Sequence, residues 1–212
     1  MELKNKICVG LDIKDNKDLY KLYKIINETK KHAYCYKINP AFFLSNNKIL
    51  NLVVDYLNTN NLKWIYDGKI GDVHHTNIKY SEYIYENLNA YGTTLNPYVG
   101  EDALEPFFKF KNKVNFLLCR TTNKDADFIQ EYSYKKVYKM SKNLNSGLVI
   151  PANKINYLKE AIDNNPSTLI LSPGIGAQGG KIETKNKNII YSISRSIINS
   201  NNIEKEIIKY AY

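Results

Sequence analysis

Short apolar, β-rich runs alternate with segments of helical period along this whole chain, and few folds tolerate that rhythm. The candidate strands are KICVGLD (6–12), YCYKIN (34–39), KWIYDGK (63–69), GTTLNPY (92–98), VNFLLCRT (114–121), GLVIPA (147–152), TLILSPG (168–174) and NIIYSIS (188–194). Most are continuously apolar over four or more residues, as expected of strands covered on both faces. Between them the period changes to 3.6. Leu19, Leu22, Tyr23 and Ile26 fall at i, i+3, i+4 and i+7, as do Leu50, Val53, Val54 and Leu57; Ile155, Leu158 and Ile162 repeat the habit after the sixth strand.

Such alternation implies parallel strands joined by helical crossovers. Eight strands in 212 residues, with no linker and no shift in composition, predict one domain over residues 1–212: an α/β chain closed into a (β/α)₈ TIM barrel. An open doubly wound sheet is the alternative that the pattern leaves. Between the last two strands, GGKIETKNK (179–187) has room for little more than one helical turn. The seventh crossover is therefore expected to be short, its helix stunted or missing.

Hydrophobic residues make up 43% of the chain, enough for a real core. No run approaches the roughly 20 apolar residues of a membrane span, and MELKNKICVGLD does not read as a signal peptide. These features predict a cytoplasmic protein with no membrane partner. The net charge of +9 is spread among Asn, Ile and Tyr without a basic block or zinc-finger spacing, so a solvated surface is expected and a nucleic-acid partner is not. Cys8, Cys35 and Cys119 each sit in an apolar run and read as small buried hydrophobes of a reducing compartment. His74 and His75 are adjacent, so their side chains diverge, and with His32 alone besides them a metal site is not expected.

The densest chemical signal is Tyr66-Asp67-Gly68-Lys69-Ile70-Gly71-Asp72-Val73-His74-His75-Thr76. Asp67 and Lys69 are two apart on a strand, so their side chains share a face, and near the carboxyl end of a barrel strand that face looks into the active site. Gly68 keeps the intervening position small, Gly71 lets the chain turn, and Asp72 projects from the loop. A lysine between two carboxylates is held as the ammonium and is suited to protonating a developing carbanion. A surface charge cluster is the plainer reading in a Lys-rich chain; the apolar strand leading into the motif favours the site.

The second signal is Ser172-Pro173-Gly174-Ile175-Gly176-Ala177-Gln178-Gly179-Gly180. Four glycines in seven residues let backbone N–H groups converge on an anion. Gln178 adds an amide donor, and Arg195, just after the eighth strand, can hold a phosphate bidentately. Loops after strands seven and eight are where barrel enzymes usually place a phosphate. The stretch lacks the Lys-Ser/Thr ending of a nucleotide P-loop.

Taken in order, GLD, YKIN, D-x-K-x-G-D-V, TLNPYVGEDALEPF, CRTTN, SPGIGAQGG and SRSI cover nearly the whole chain. This set closely resembles the orotidine 5′-phosphate decarboxylase family, particularly its bacterial-type branch. The resemblance implies a cofactor-free enzyme that converts orotidine 5′-phosphate to uridylate. It matches Asp12 and Lys37 to residues that contact the ribose and brace a charged network, Asp67 to the carboxylate beside the substrate's leaving carboxylate, and Lys69 to the proton donor to C6. Asp72 and Thr76 match residues that reach into the partner's site of a homodimer. Thr122 matches a hydroxyl that reads the pyrimidine edge, Pro173 a residue packed near the base, and Gln178 and Arg195 the phosphate grip.

There are departures. Ser194 stands where archaeal relatives often have glycine, and Pro151 and Asn153 replace smaller residues after the sixth strand. Sister barrels acting on sugar phosphates share D-x-K-x-x-D but use Mg²⁺ and normally carry a glutamate on strand two, where this chain has Lys37. A non-catalytic, basic RNA-binding barrel would not need Asp67, Lys69 and Asp72 together. Whether the chain works alone or beside orotate phosphoribosyltransferase, the preceding activity, the sequence leaves open.

Overall fold

A computed structural model describes residues 5–13, 18–176, 179–183 and 186–212. Eight parallel strands close into a barrel in chain order: β1 (Lys6–Gly10), β2 (Ala33–Ile38), β3 (Trp64–Ile70), β4 (Gly92–Leu95), β5 (Val114–Leu118), β6 (Gly147–Val149), β7 (Ile170–Ser172) and β8 (Ile189–Ile193). Pairing of Ile7 with Tyr191 and Cys8 with Ser192 brings β8 back to β1 and removes the sheet's edges. The open doubly wound alternative is thereby excluded.

Alternation along the strands builds two cores. Cys8, Cys35, Ile65, Phe116, Val149, Leu171 and Ile190 form one buried cluster, the plug of the barrel interior. Their neighbours, such as Ile7, Val9, Tyr36 and Leu117, pack outward in a second cluster with the helices. All three cysteines are free and buried, as their apolar surroundings predict.

The helices are α1 (Leu19–Thr29), α2 (Asn47–Thr59), α3 (His74–Glu82), α4 (Glu101–Phe108), α5 (Asp127–Leu144), α6 (Ile155–Asn164), α7 (Arg195–Ile198) and α8 (Ile203–Ala211). The stripe Leu50, Val53, Val54 and Leu57 is buried as predicted. In α1 the buried face is instead Leu22, Ile25, Ile26 and Thr29. Tyr23 lies to its side, stacked 4.4 Å from Tyr56, because its hydroxyl must reach Leu52 O. No described helix is long and apolar enough to cross a membrane.

None of the described residues between β7 and β8 is helical, in line with the short GGKIETKNK connection. The fourth strand stops earlier than its hydrophobicity indicates. Asn96 Oδ1 accepts from the Tyr98 amide and turns the chain into a one-turn 3₁₀ helix at Pro97. The two ends of the described chain meet where Asn5 N–H donates to Ala211 O and Asn5 Nδ2 donates to Tyr210 O.

Candidate active site

A cavity of 770 Å³ opens at the carboxyl ends of the strands, where barrel enzymes place their chemistry. Its floor is a line of alternating charges. Lys37 Nζ, near the end of β2, donates to Asp67 Oδ2 at 2.6 Å and lies 3.5 Å from Asp12 Oδ2. Lys69 Nζ donates to the other oxygen, Asp67 Oδ1, at 2.8 Å. Lys37 and Asp67 are both buried, whereas 44% of the Lys69 side chain is exposed. Its ammonium therefore faces the open cavity while its counter-charge stays behind it.

Burial alone would push the Asp67 carboxyl up; the Lys37 charge, then the Lys69 charge, override it and hold the group well below the usual carboxylate range. Burial likewise works against the Lys37 ammonium, but Asp67 and then Asp12 reverse the balance and raise its pKa. Asp12 Oδ1, also on the cavity wall, is buried and has no hydrogen-bond partner among the described residues. A buried carboxylate oxygen without a donor is costly, and a ligand hydroxyl reaching this wall would satisfy it.

Asp67 and Lys69 do meet, but not by simple strand alternation. Tyr66 pairs with Thr93 and Ile70 with Leu95, leaving Asp67, Gly68 and Lys69 opposite the single residue Thr94. The strand bulges there, and Lys69 takes a left-handed φ of 50°. Gly68 fits the bulge because a Cβ would sit 2.5 Å from Tyr66 Cε1. Gly71 is needed for a different reason from the one predicted: it does not have a positive φ, and its added Cβ would lie 2.8 Å from Asn96 Cβ. Close approach of β4's end, not a sharp turn, excludes a side chain.

The glycine-rich loop also differs from expectation. Gly174, Gly176 and Gly179 have φ values of 94°, 73° and 81°, a backbone that only glycine adopts readily. Among the described residues, the amides of Gly176, Gly179 and Gly180 bond to Gly180 O, Gly176 O and Gly174 O, so these three are taken up within the segment and do not converge on an anion. A Cβ at Gly176 would collide with Ser196 Oγ. The glycines thus let the loop press against α7, at whose first residue Arg195 stands exposed on the cavity rim. Ser194 Oγ donates to Gly10 O at 3.0 Å, tying α7 to β1.

Two supporting residues were not singled out from sequence. Arg120 is completely buried, pairs with Asp127 and with Glu131 (2.9 Å), and lies 4.1 Å from the Tyr157 ring centre. It pins α5 against the cavity wall beside Thr121, whose amide and hydroxyl are both held by Gln130 at 2.9 Å. Its signal was legible: an arginine ending an apolar run, followed by carboxylates at i and i+4 of the next helix. Asn77, buried in α3, donates to Asp72 O at 2.6 Å and Ala103 O at 2.8 Å, fixing the loop after β3.

A family model described as orotidine 5′-phosphate decarboxylase / HUMPS matches residues 5–210. The chain belongs to that family. Among curated members, the orotidine 5′-phosphate decarboxylase of Christiangramia forsetii is 33% identical over 91% of this chain and 83% of its own. That of Flavobacterium johnsoniae is 32% identical over 86% and 77%. Among solved structures, the Methanocaldococcus jannaschii orotidine 5′-monophosphate decarboxylase complexed with inhibitor BMP superposes with a TM-score of 0.85 at 26% identity, over 98% of this chain and 97% of that one. Leishmania donovani UMP synthase gives 0.88 at 28% identity over 96% of this chain, which spans 51% of that longer protein.

Of the positions to which the orotidine 5′-phosphate decarboxylase pattern points, Asp12, Lys37, Asp67, Lys69, Thr122, Pro173 and Arg195 all line the cavity. Asp72 and Thr76 do not line it. Asp72 is on the loop after β3, its Oδ1 accepting from the Val73 amide at 2.7 Å, and Thr76 is in the first turn of α3. Gln178 lies outside the described residues.

Proposed function

We propose that this chain removes CO₂ from orotidine 5′-phosphate to give uridine 5′-phosphate, without a metal or organic cofactor. The observation that carries the reading is the Lys37–Asp67–Lys69 array at the cavity floor, a buried ion pair carrying one exposed ammonium. Where sister sugar-phosphate barrels need a carboxylate for Mg²⁺, this chain has a buried ammonium 2.6 Å from Asp67. A cation at that place repels a divalent ion and leaves Asp67 fully committed.

The chemistry follows from the charges. The C6–carboxylate bond breaks, CO₂ departs and the electron pair stays on C6. Lys69 stabilises that charge as it forms, then gives C6 a proton and regains one from solvent. Asp67, kept ionised by two lysines, stands beside the departing carboxylate and orients the Lys69 ammonium. Preorganised charges of this kind act without rearrangement at the moment of reaction.

Binding uses the rest of the cavity. Asp12 Oδ1 accepts from a ribose hydroxyl, Thr122 reads the pyrimidine edge, Pro173 packs near the base, and Arg195, with Gln178 from the adjacent loop, takes the phosphate. Two chains pair about a two-fold axis, each lending Asp72 and Thr76 to the other's site. Support for this pairing is that Asp72 does not line its own cavity and is followed by the exposed apolar Val73. The test is the loss of orotidylate absorbance in EDTA. Turnover without metal supports the reading; inertness toward orotidylate together with Mg²⁺-dependent turnover of a sugar phosphate overturns it.

A further inference from the structure

The bulge in β3 places a non-glycine residue, Lys69, in the left-handed region, which costs backbone energy unless its surroundings hold it there. What holds it is Thr94, the single β4 residue facing Asp67, Gly68 and Lys69. The Lys69 amide donates to Thr94 Oγ1 at 3.0 Å, and Thr94 Oγ1 donates to Asp67 Oδ1 at 2.8 Å. The directions are fixed by chemistry: an amide N–H can only donate and an ionised carboxylate can only accept, so the one hydroxyl proton goes to Asp67. Lys69 Nζ closes the ring on the same Asp67 oxygen at 2.8 Å. Thr94 is buried, so neither bond is easily replaced by water.

The geometry points to Thr94 as a positioning residue for the proton donor: its hydroxyl stands in for the missing ladder bond, locks Lys69 in its left-handed conformation and orients Asp67 beneath the ammonium. A regular strand would carry Lys69 onto a different trajectory and loosen the contact with Asp67. The bulge and the threonine therefore work as one device, and β4 contributes to catalysis without supplying a charged group. This inference rests on the reading of Lys69 as proton donor, and its test separates the two.

Thr94→Val keeps the branched shape and removes the hydroxyl; Thr94→Ser keeps the hydroxyl. Four quantities decide: kcat and KM for orotidylate, the Kd for uridylate, and the hydrogen-exchange rate of the Lys69 amide. Loss of a hydrogen bond to a charged group should lower kcat of Thr94→Val about ten- to a hundredfold, with KM and the uridylate Kd changed less than about threefold. Thr94→Ser should recover most of that loss, and the Lys69 amide of the valine variant should exchange at least about tenfold faster. If Thr94→Val does not fold, Thr94→Ala is measured in the same way. The inference is overturned by a kcat within about threefold of the parent, by a loss confined to KM, by a serine variant as impaired as the valine one, or by unchanged amide protection. Should the parent chain fail to decarboxylate orotidylate, the functional reading falls, and Lys69 amide exchange still decides what Thr94 does.

Discussion

Lys37 and Asp67 meet at 2.6 Å inside the barrel mouth, each largely withdrawn from water and each shifting the other toward its charged form. Breaking such a pair from one side strands a buried charge, which typically costs 3–5 kcal/mol, whereas replacing both partners by apolar groups is far less damaging. Lys37→Met should therefore destabilise the fold by roughly 3–5 kcal/mol, and Lys37→Met with Asp67→Leu should recover much of it. Denaturant unfolding measures both. A single-variant loss below about 1 kcal/mol would place the pair in the class of weak surface bridges.

The same shifts set the pH window of stability. Asp67 is held below its ordinary 3.8, so its contribution is complete above that value and is lost as the pH falls through the native pKa. Lys37 is held above its ordinary 10.5, so its contribution is complete below that value and is lost as the pH rises through the native pKa. The melting temperature should stay level on account of this pair between these limits and drop on the acid side. Asp67→Asn should flatten the acid-side drop; an identical acid profile in parent and variant would contradict the assignment.

Arg195 on the rim is the phosphate's charged partner in this account. A charge-assisted bond to phosphate is worth roughly 1.5–3 kcal/mol, so Arg195→Ala should weaken orotidylate binding at least about tenfold. Orotidine, which lacks the phosphate, should be affected far less. Equal losses for both would point to a structural part for Arg195 in α7.

Shared sites can be tested with two inactive variants. Lys69→Ala and Asp72→Ala are mixed after dissociation and allowed to reassociate. In a mixed dimer one site receives both damaged residues and the other receives neither. Random pairing makes half the dimers mixed, so about one quarter of all sites should recover. If subunits demonstrably exchange and activity stays at the level of the separate variants, Asp72 serves its own chain.

The eight strands were legible because parallel strands buried on both faces leave continuous apolar runs, and the cavity charges because they end such runs. What pattern does not carry is anything decided by a neighbouring strand. Nothing local to Lys69 announces a left-handed backbone, since the partner that stabilises it is Thr94, 25 residues away on β4. The glycine-rich loop shows the converse limit. Its glycines suggested amides converging on an anion, yet composition does not say where amides point, and those of Gly176, Gly179 and Gly180 bond within the segment itself. Likewise Asn96 ended β4 through a side-chain turn that hydrophobicity cannot register.

The central claim is that Lys69 delivers the proton that replaces CO₂ on C6. Orotidylate should be converted in EDTA-treated D₂O by the parent chain and by Lys69→Ala, and the uridylate analysed by NMR. The account predicts uridylate carrying one deuterium at C6 from the parent chain. It also predicts a rate for Lys69→Ala reduced by at least about 10²–10⁴, the share usual for a general acid, with the far-ultraviolet circular dichroism of the folded barrel retained. Near-parental turnover by Lys69→Ala would contradict it.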